Sequence, residues 1–84
     1  MPEISRFYGI IIKMYFAQKE HNPPHIHAIY GNMACAIDIN TLEILDGKLP
    51  DRALVLVKDW IRMNQKEIMQ MWRSQNFKKI PPLE

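Results

Sequence analysis

The period of the hydrophobic pattern changes once along this 84-residue chain, and that change constrains the fold more than any other feature. Before residue 47, β-branched and aromatic residues form short runs between turn-forming residues, as in β-strands. From Pro50 onward, apolar residues recur every three or four positions, as on one face of a helix. Strands first and a helix last are typical of an α+β domain, in which an antiparallel sheet packs against the helix on one face.

A chain of this length supports one hydrophobic core, so we expect residues 1–84 to form a single domain. Hydrophobic residues make up 48% of the chain and charged residues 24%, which is typical of a folded globular protein. The net charge of +2 gives no argument for nucleic-acid binding. The lone cysteine favours a reducing compartment, and no apolar run approaches the roughly 20 residues of a membrane span. We therefore expect a cytoplasmic protein without membrane contact.

Four strands are predicted in the first half of the chain. The first covers about residues 7–16, where a period-two pattern places four apolar side chains on one side: Ile10, Ile12, Met14 and Phe16. Gly31-Asn32 is a two-residue turn between strands over 25–30 and 33–39, because Gly and Asn accept the positive φ angles of tight hairpins. A second turn at Asn40-Thr41 leads to a strand over 42–46 and completes a four-stranded meander.

The helical pattern covers about residues 50–76. Pro50 suits the first helical position, and Asp51 suits the positive end of the helix dipole. Asn64 and Glu67 form a capping-box pattern, so the segment is either one long helix or two consecutive helices broken near residues 63–65. The residues after the helix indicate a polar tail. One stripe carries the apolar side chains of the helix: Ala53, Val57, Trp60, Ile61, Ile68, Met71 and Trp72.

The hairpin turns assign each side chain to one face of the sheet. A two-residue turn at Gly31-Asn32 pairs Ala28 with Cys35 on the apolar face, where Cys35 is expected to be an inert buried thiol. On the other face, the same turn pairs His25 with Asp38.

A two-residue turn at Asn40-Thr41 extends this second face to the fourth strand. It places Glu43 beside Asp38, and Leu45 beside the Ala36 that pairs with His27. The sequence therefore predicts an open face on which His25, Asp38 and Glu43 form one row. A first strand beside the second would bring Lys13 or Tyr15 near the histidines.

Three histidines in H-x3-H-x-H spacing make this face a candidate metal site. His25 and His27 are two strand steps apart, about 6.6 Å, which two imidazoles can span to chelate one divalent transition ion such as Zn²⁺. His21 is the third candidate ligand, and Asp38 or Glu43 would complete the shell or orient an imidazole. This interpretation predicts a metal-dependent enzyme, for example a hydrolase acting on nucleic acid or nucleotides.

Two further interpretations of the same residues stay open. In an acid–base site, Asp38 would orient His25 and favour its charged form, although no recognisable nucleophile accompanies them. In a purely structural interpretation, His25 and Asp38 form an exposed cross-strand pair, and Pro23-Pro24 sets a turn.

The segments ISRFYGIIIKMYF, HNPPHIHA and DINTLEILDGKLPDRAL, with the Trp-containing helix after them, resemble the small bacterial proteins of domain of unknown function family 4160. The resemblance covers nearly the whole chain but assigns no residue a role. It marks these family-like positions: His21, Asn22, Pro23, Pro24, His25, His27 and Asp38.

The resemblance implies a short stand-alone protein encoded beside another small protein, in arrangements suspected of being toxin–antitoxin or regulatory pairs. The leading hypothesis from the sequence is therefore a small cytoplasmic binding or regulatory module with a protein partner. Its contact surface is expected to be the His-bearing face or the C-terminal helix. The metal-dependent enzyme is the alternative.

Overall fold

The computed structural model describes residues 3–15 and 23–83. The strands are β1 Glu3–Phe7, β2 Ile10–Lys13, β3 His25–Tyr30, β4 Met33–Asp38 and β5 Ile44–Gly47, and the helix α1 covers Asp51–Ser74. All neighbouring strands pair antiparallel, in the order β1-β2-β3-β4-β5. The α+β class, the antiparallel sheet and the C-terminal helix are confirmed. The number of strands is corrected from four to five.

The extra strand arises because a tight turn divides the apolar stretch predicted as one strand over residues 7–16. Tyr8 and Gly9 form this turn with φ angles of 50° and 81°, as in a type I′ hairpin. The composition correctly predicts strand on both sides of the turn, but a tyrosine in the first turn position gives no sequence signal for the reversal. Glu3–Phe7 therefore forms β1, and β2 begins at Ile10.

The β3–β4 hairpin has the register that a two-residue Gly31-Asn32 turn predicts. His25 lies opposite Asp38, and Ala28 lies opposite Cys35. The other neighbour of β3 is β2, so the first part of the chain does lie beside the His-bearing strand.

The β4–β5 pairing departs from the prediction after its first pair. Ile37 faces Ile44 as expected, but a β-bulge follows, and Ala36 faces Asp46 instead of Leu45. A bulge inserts one unpaired residue and so reverses the faces of the residues after it. The prediction that Leu45 lies beside Ala36 is therefore wrong.

The turn before β5 is also longer than the two residues Asn40-Thr41. The Leu42 N–H donates to the Asp38 carbonyl (2.9 Å), and Leu42 has a positive φ of 67°. The strand predicted over residues 42–46 consequently begins at Ile44 and ends at Gly47.

One apolar core lies between the sheet and α1. The buried helix positions belong to the predicted stripe, although Trp72 is only half-buried. Fully burying aliphatic and aromatic side chains of this size contributes about 1.5–3 kcal/mol each, so this layer is the main source of stability. Its sheet side consists of Ile4, Phe7, Ile10, Ile12, Met14, Ile26, Ala28, Cys35, Ile37 and Ile39.

The helix bends at Asn64, where the sequence indicates a break. Asn64 has φ −123° and ψ 18°, outside the helical range, and its side-chain amide donates to the Trp60 carbonyl (2.9 Å). The chain continues as helix to Ser74, and Pro50 is the N-cap residue rather than the first helical residue. Within the described ranges, no helix has the length and apolarity of a bilayer span.

The segment after α1 docks against the sheet, so the prediction of a polar tail is wrong. The Ile80 N–H donates to the Ile4 carbonyl on β1 (2.7 Å), and the Trp60 indole donates to the Pro81 carbonyl (3.0 Å). Ile80 is buried in the core. The segment therefore covers the β1 edge of the sheet.

Candidate functional site

The candidate site lies on the side of the sheet opposite the apolar core. We call it the histidine face and define it by Lys13, Tyr15, His25, His27 and Asp46. Strand pairing places Lys13 opposite His27, and His27 opposite Ala36. The bulge in β5 then adds Asp46 beside Ala36, so one row crosses four strands with a cation, an imidazole and a carboxylate.

Four rings form a chain of three successive contacts across this face and the end of the helix. The ring centroid of His27 lies 4.3 Å from Tyr15 and 5.1 Å from His25. Trp72 of α1 lies 5.1 Å from His25. These separations are those of packed aromatic pairs, so neighbouring rings fix the orientation of both imidazoles.

His27 is held in its neutral form. Burial lowers the pKa of His27 below its ordinary value of 6.5, the nearby His25 lowers it further, and Asp46 acts in the opposite direction. The Nδ1 atom of His27 is buried and has no hydrogen-bond partner among the described residues. A neutral imidazole can bind a metal ion or accept a hydrogen bond at neutral pH.

The two prolines position His25 at the start of β3. The His25 ring donates from Nδ1 to the Pro23 carbonyl (2.9 Å), because a carbonyl can only accept. The Pro24 carbonyl accepts the Ile39 N–H (3.0 Å), which extends the β3–β4 ladder by one pair. No peptide bond between described residues is cis, so the Pro23-Pro24 bond is trans.

Asp38 faces His25 in register, but its carboxylate serves the following turn. Oδ1 accepts hydrogen bonds from the N–H groups of Asn40 (2.7 Å) and Thr41 (2.9 Å), an arrangement typical of aspartate at a turn. Glu43 is exposed and joins the row through its backbone carbonyl, which accepts the Asp38 N–H (2.9 Å). The pairing of His25 with Asp38 is confirmed, whereas the place of the Glu43 side chain in the row and catalytic roles for His25, Asp38 and Glu43 stay predictions.

The metal site stays a prediction as well. Among the described residues, no three His, Cys, Asp or Glu side chains form a group that could hold a metal ion. His25 and His27 supply two adjacent imidazoles, whereas zinc sites use three or four protein ligands. His21, the third predicted ligand, and Asn22 lie outside the described residues.

Sequence reasoning missed two members of this neighbourhood. Asp46 was placed at the end of a strand because the bulge that turns it toward His27 has no clear sequence signal apart from Gly47. Trp72 does pack against the core, as its spacing in the stripe predicts, but its contact with His25 was not predicted. The expectation that Lys13 or Tyr15 would lie near the histidines is confirmed for both.

The comparisons with known proteins identify a family and no function. A family model described as a domain of unknown function (DUF4160) matches residues 9–73. No curated protein and no solved structure matches the chain. The matched range contains the whole histidine face and excludes both β1 and the docked C-terminal segment.

Proposed function

Since the chain belongs to the family of the domain of unknown function (DUF4160), whose description names no activity, we propose a function from the geometry of the sheet. The protein is a small cytoplasmic binding module. Its partner is a small bacterial protein encoded nearby, as in a toxin–antitoxin-like pair. The partner adds a strand to β5 and covers the adjacent histidine face.

The observation that carries this proposal is the difference between the two edges of the sheet. At the β1 edge, the Ile4 carbonyl accepts a hydrogen bond from the Ile80 N–H of the C-terminal segment. At the other edge, β5 pairs only with β4 within the described ranges, and all four of its residues are exposed. Ile44 and Leu45 are 41% and 43% exposed. An edge strand with apolar side chains is a template for a strand of another chain.

The histidine face adjoins the exposed edge strand β5. Asp46 belongs both to the edge strand and to the row of His27, so a strand added to β5 lies next to the imidazole cluster. Rings that combine an apolar body with a polar atom are enriched in protein interfaces. The Asp38 carboxylate is engaged by its turn, which supports binding rather than acid–base catalysis at His25.

Paired lysine substitutions test the proposal. The protein carrying Ile44→Lys and Leu45→Lys is co-expressed with the product of the neighbouring gene, and the complex is measured by co-purification and by calorimetry. Charged side chains on an edge strand oppose strand addition, so we expect affinity to fall at least about tenfold. The matched control carries Val55→Lys and Met63→Lys, which alter apolar residues that are 58% and 72% exposed on α1.

Each outcome discriminates between surfaces. A complex lost only in the β5 variant supports the proposal. Loss only in the α1 variant assigns the partner to the helix and overturns the role of β5. No complex with the unaltered protein overturns the binding function itself.

A further inference from the structure

A groove lies at the end of β3 distant from His25, between the Tyr8-Gly9 turn and the start of α1. Its volume is about 420 Å³, within the range of ligand sites. The floor is apolar, and the rim carries two phenol rings and one guanidinium. Its principal lining residues are Ile10, Ala53 and Leu56 on the floor and Tyr8, Tyr30 and Arg52 on the rim.

The β1–β2 turn fixes both tyrosine rings at this groove. Tyr30 packs over Gly9, where an added Cβ would lie 3.3 Å from the ring. Tyr8 contacts Phe7 edge to face, with ring centroids 6.4 Å apart. The rings are nevertheless 61% exposed at Tyr8 and 41% exposed at Tyr30.

Tyr8 also occupies a backbone position that does not suit it. Its φ of 50° belongs to the left-handed region, where glycine and asparagine are preferred in a tight hairpin turn. A bulky residue in that region costs of order 1–2 kcal/mol. A large, exposed and strained aromatic residue at the rim of a groove is consistent with a role in binding.

The charge of the groove is positive and uncompensated. Of the described residues that line it, Arg52 alone is charged, and no ion pair of the described chain includes Arg52. The N-cap residue, Pro50, provides no side-chain cap for the first N–H groups of α1, which adds partial positive charge nearby. Asp51 of the same turn is not a lining residue.

We propose that this groove binds a peptide segment of a protein partner in which an apolar side chain adjoins an acidic one. The apolar side chain packs between Tyr8 and Tyr30, and the carboxylate pairs with Arg52. Tyrosine and arginine are the residue types that dominate binding energy at protein interfaces. A peptide fits better than a small molecule because the exposed rings leave the groove half-open, whereas small-molecule sites bury most of the ligand.

This inference rests on the proposed function, because it supposes a protein partner, and it adds a second contact separate from β5. The probe is an acetylated and amidated peptide of sequence SGLFEDS, compared with SGLFQNS, in which amides replace the carboxylates. Each is titrated into the isotope-labelled full chain and followed by nuclear magnetic resonance. We expect shifts at the Tyr8-Gly9 turn, at Tyr30 and in the first turn of α1. The acidic peptide should bind at least about threefold more tightly, and added salt should reduce the difference.

Two variants test whether the groove binds the peptide without disturbing the fold. Tyr8→Asn places a favoured residue at the positive φ, so it should fold at least as stably while weakening the acidic peptide at least about fivefold. Arg52→Gln should abolish the preference for the acidic peptide. Its matched control is Arg62→Gln, which alters an arginine of the same helix that pairs with Asp59 instead.

The results of these experiments test the groove and the proposed function separately. Equal binding of both peptides, shifts outside the groove, or an unchanged affinity in Tyr8→Asn overturns the groove. A partner complex that depends on β5, found together with any of these results, leaves the proposed function standing. Peptide binding at the groove without any partner complex overturns the proposed function instead.

Discussion

His27 couples the histidine face to the stability of the whole domain. Burial and His25 lower its pKa below 6.5, so the unfolded chain takes up this proton more readily than the native chain does. The contribution of His27 to stability is therefore constant well above pH 6.5. It falls as the pH drops from 6.5 toward the lowered native pKa.

We expect His27→Gln to remove this part of the pH dependence. Urea unfolding of both proteins between about pH 8 and pH 5 measures it, and the unaltered protein should lose stability relative to the variant on acidification. Because His27 takes up one proton, the slopes of the free energy of unfolding against pH differ between the two proteins by at most about 1.4 kcal/mol per pH unit. Parallel curves for the two proteins would show that His27 is not held neutral by the fold.

At the residue scale, the sequence predicts which residues lie opposite each other in the sheet better than it predicts the hydrogen bonds of their side chains. The pairing of His25 with Asp38 follows from turn length alone, because side chains alternate along paired strands. The bonds of the Asp38 carboxylate do not follow, since they depend on the conformation of a turn that is longer than its residue types indicate. Asp46 reaches the row of His27 only through a bulge.

At the element scale, β5 depends on Gly47. Its φ is 77°, and an added Cβ would overlap the Ala34 carbonyl oxygen and lie 3.0 Å from the Cys35 Cα. The same Ala34 carbonyl accepts the Lys48 N–H (3.1 Å). Glycine therefore lets the chain cross close to β4 and turn toward α1.

Gly47→Ala should destabilise the protein by about 2–4 kcal/mol, because left-handed strain and backbone overlap act together. Gly31→Ala is the matched control: its φ is 62°, but an added Cβ meets nothing within 4 Å. The control should lose about 1–2 kcal/mol from strain alone. Urea denaturation compares them, and equal losses would show that the overlap is relieved by a small backbone shift.

Elements were predictable where one periodic signal dominates. The buried stripe of α1 and its interruption at Asn64 follow from spacing and from one polar residue among apolar ones. The Tyr8-Gly9 turn could not be predicted, because its two residues continue an apolar run whose composition favours a strand. The prediction of a polar tail failed because the buried Ile80 lies between two lysines and two prolines, which give no sequence signal for a core position.

At the scale of the whole molecule, residues on either side of the range that the family model matches contact each other. β1 precedes this range and the docked segment follows it, and the two meet at Ile4 and Ile80. The segment satisfies a β1 carbonyl that would otherwise face solvent at the sheet edge. One edge is therefore closed by the chain itself, whereas β5 at the other edge pairs only with β4 among the described residues.

Removing residues 76–84 should convert the closed edge into a second open one. The shortened protein retains the helix and its left-handed C-cap residue Gln75, but it loses the bond from Ile80 to Ile4 and the bond from Trp60 to Pro81. Unpaired edge strands associate with one another, so light scattering after gel filtration should show dimers or larger species that increase with concentration. Lys78→Gln is the control, because it removes only an exposed ion pair with Glu67, worth at most about 1 kcal/mol. A shortened protein that stays folded and has the same oligomeric state as the control would show that the C-terminal segment does not protect this edge.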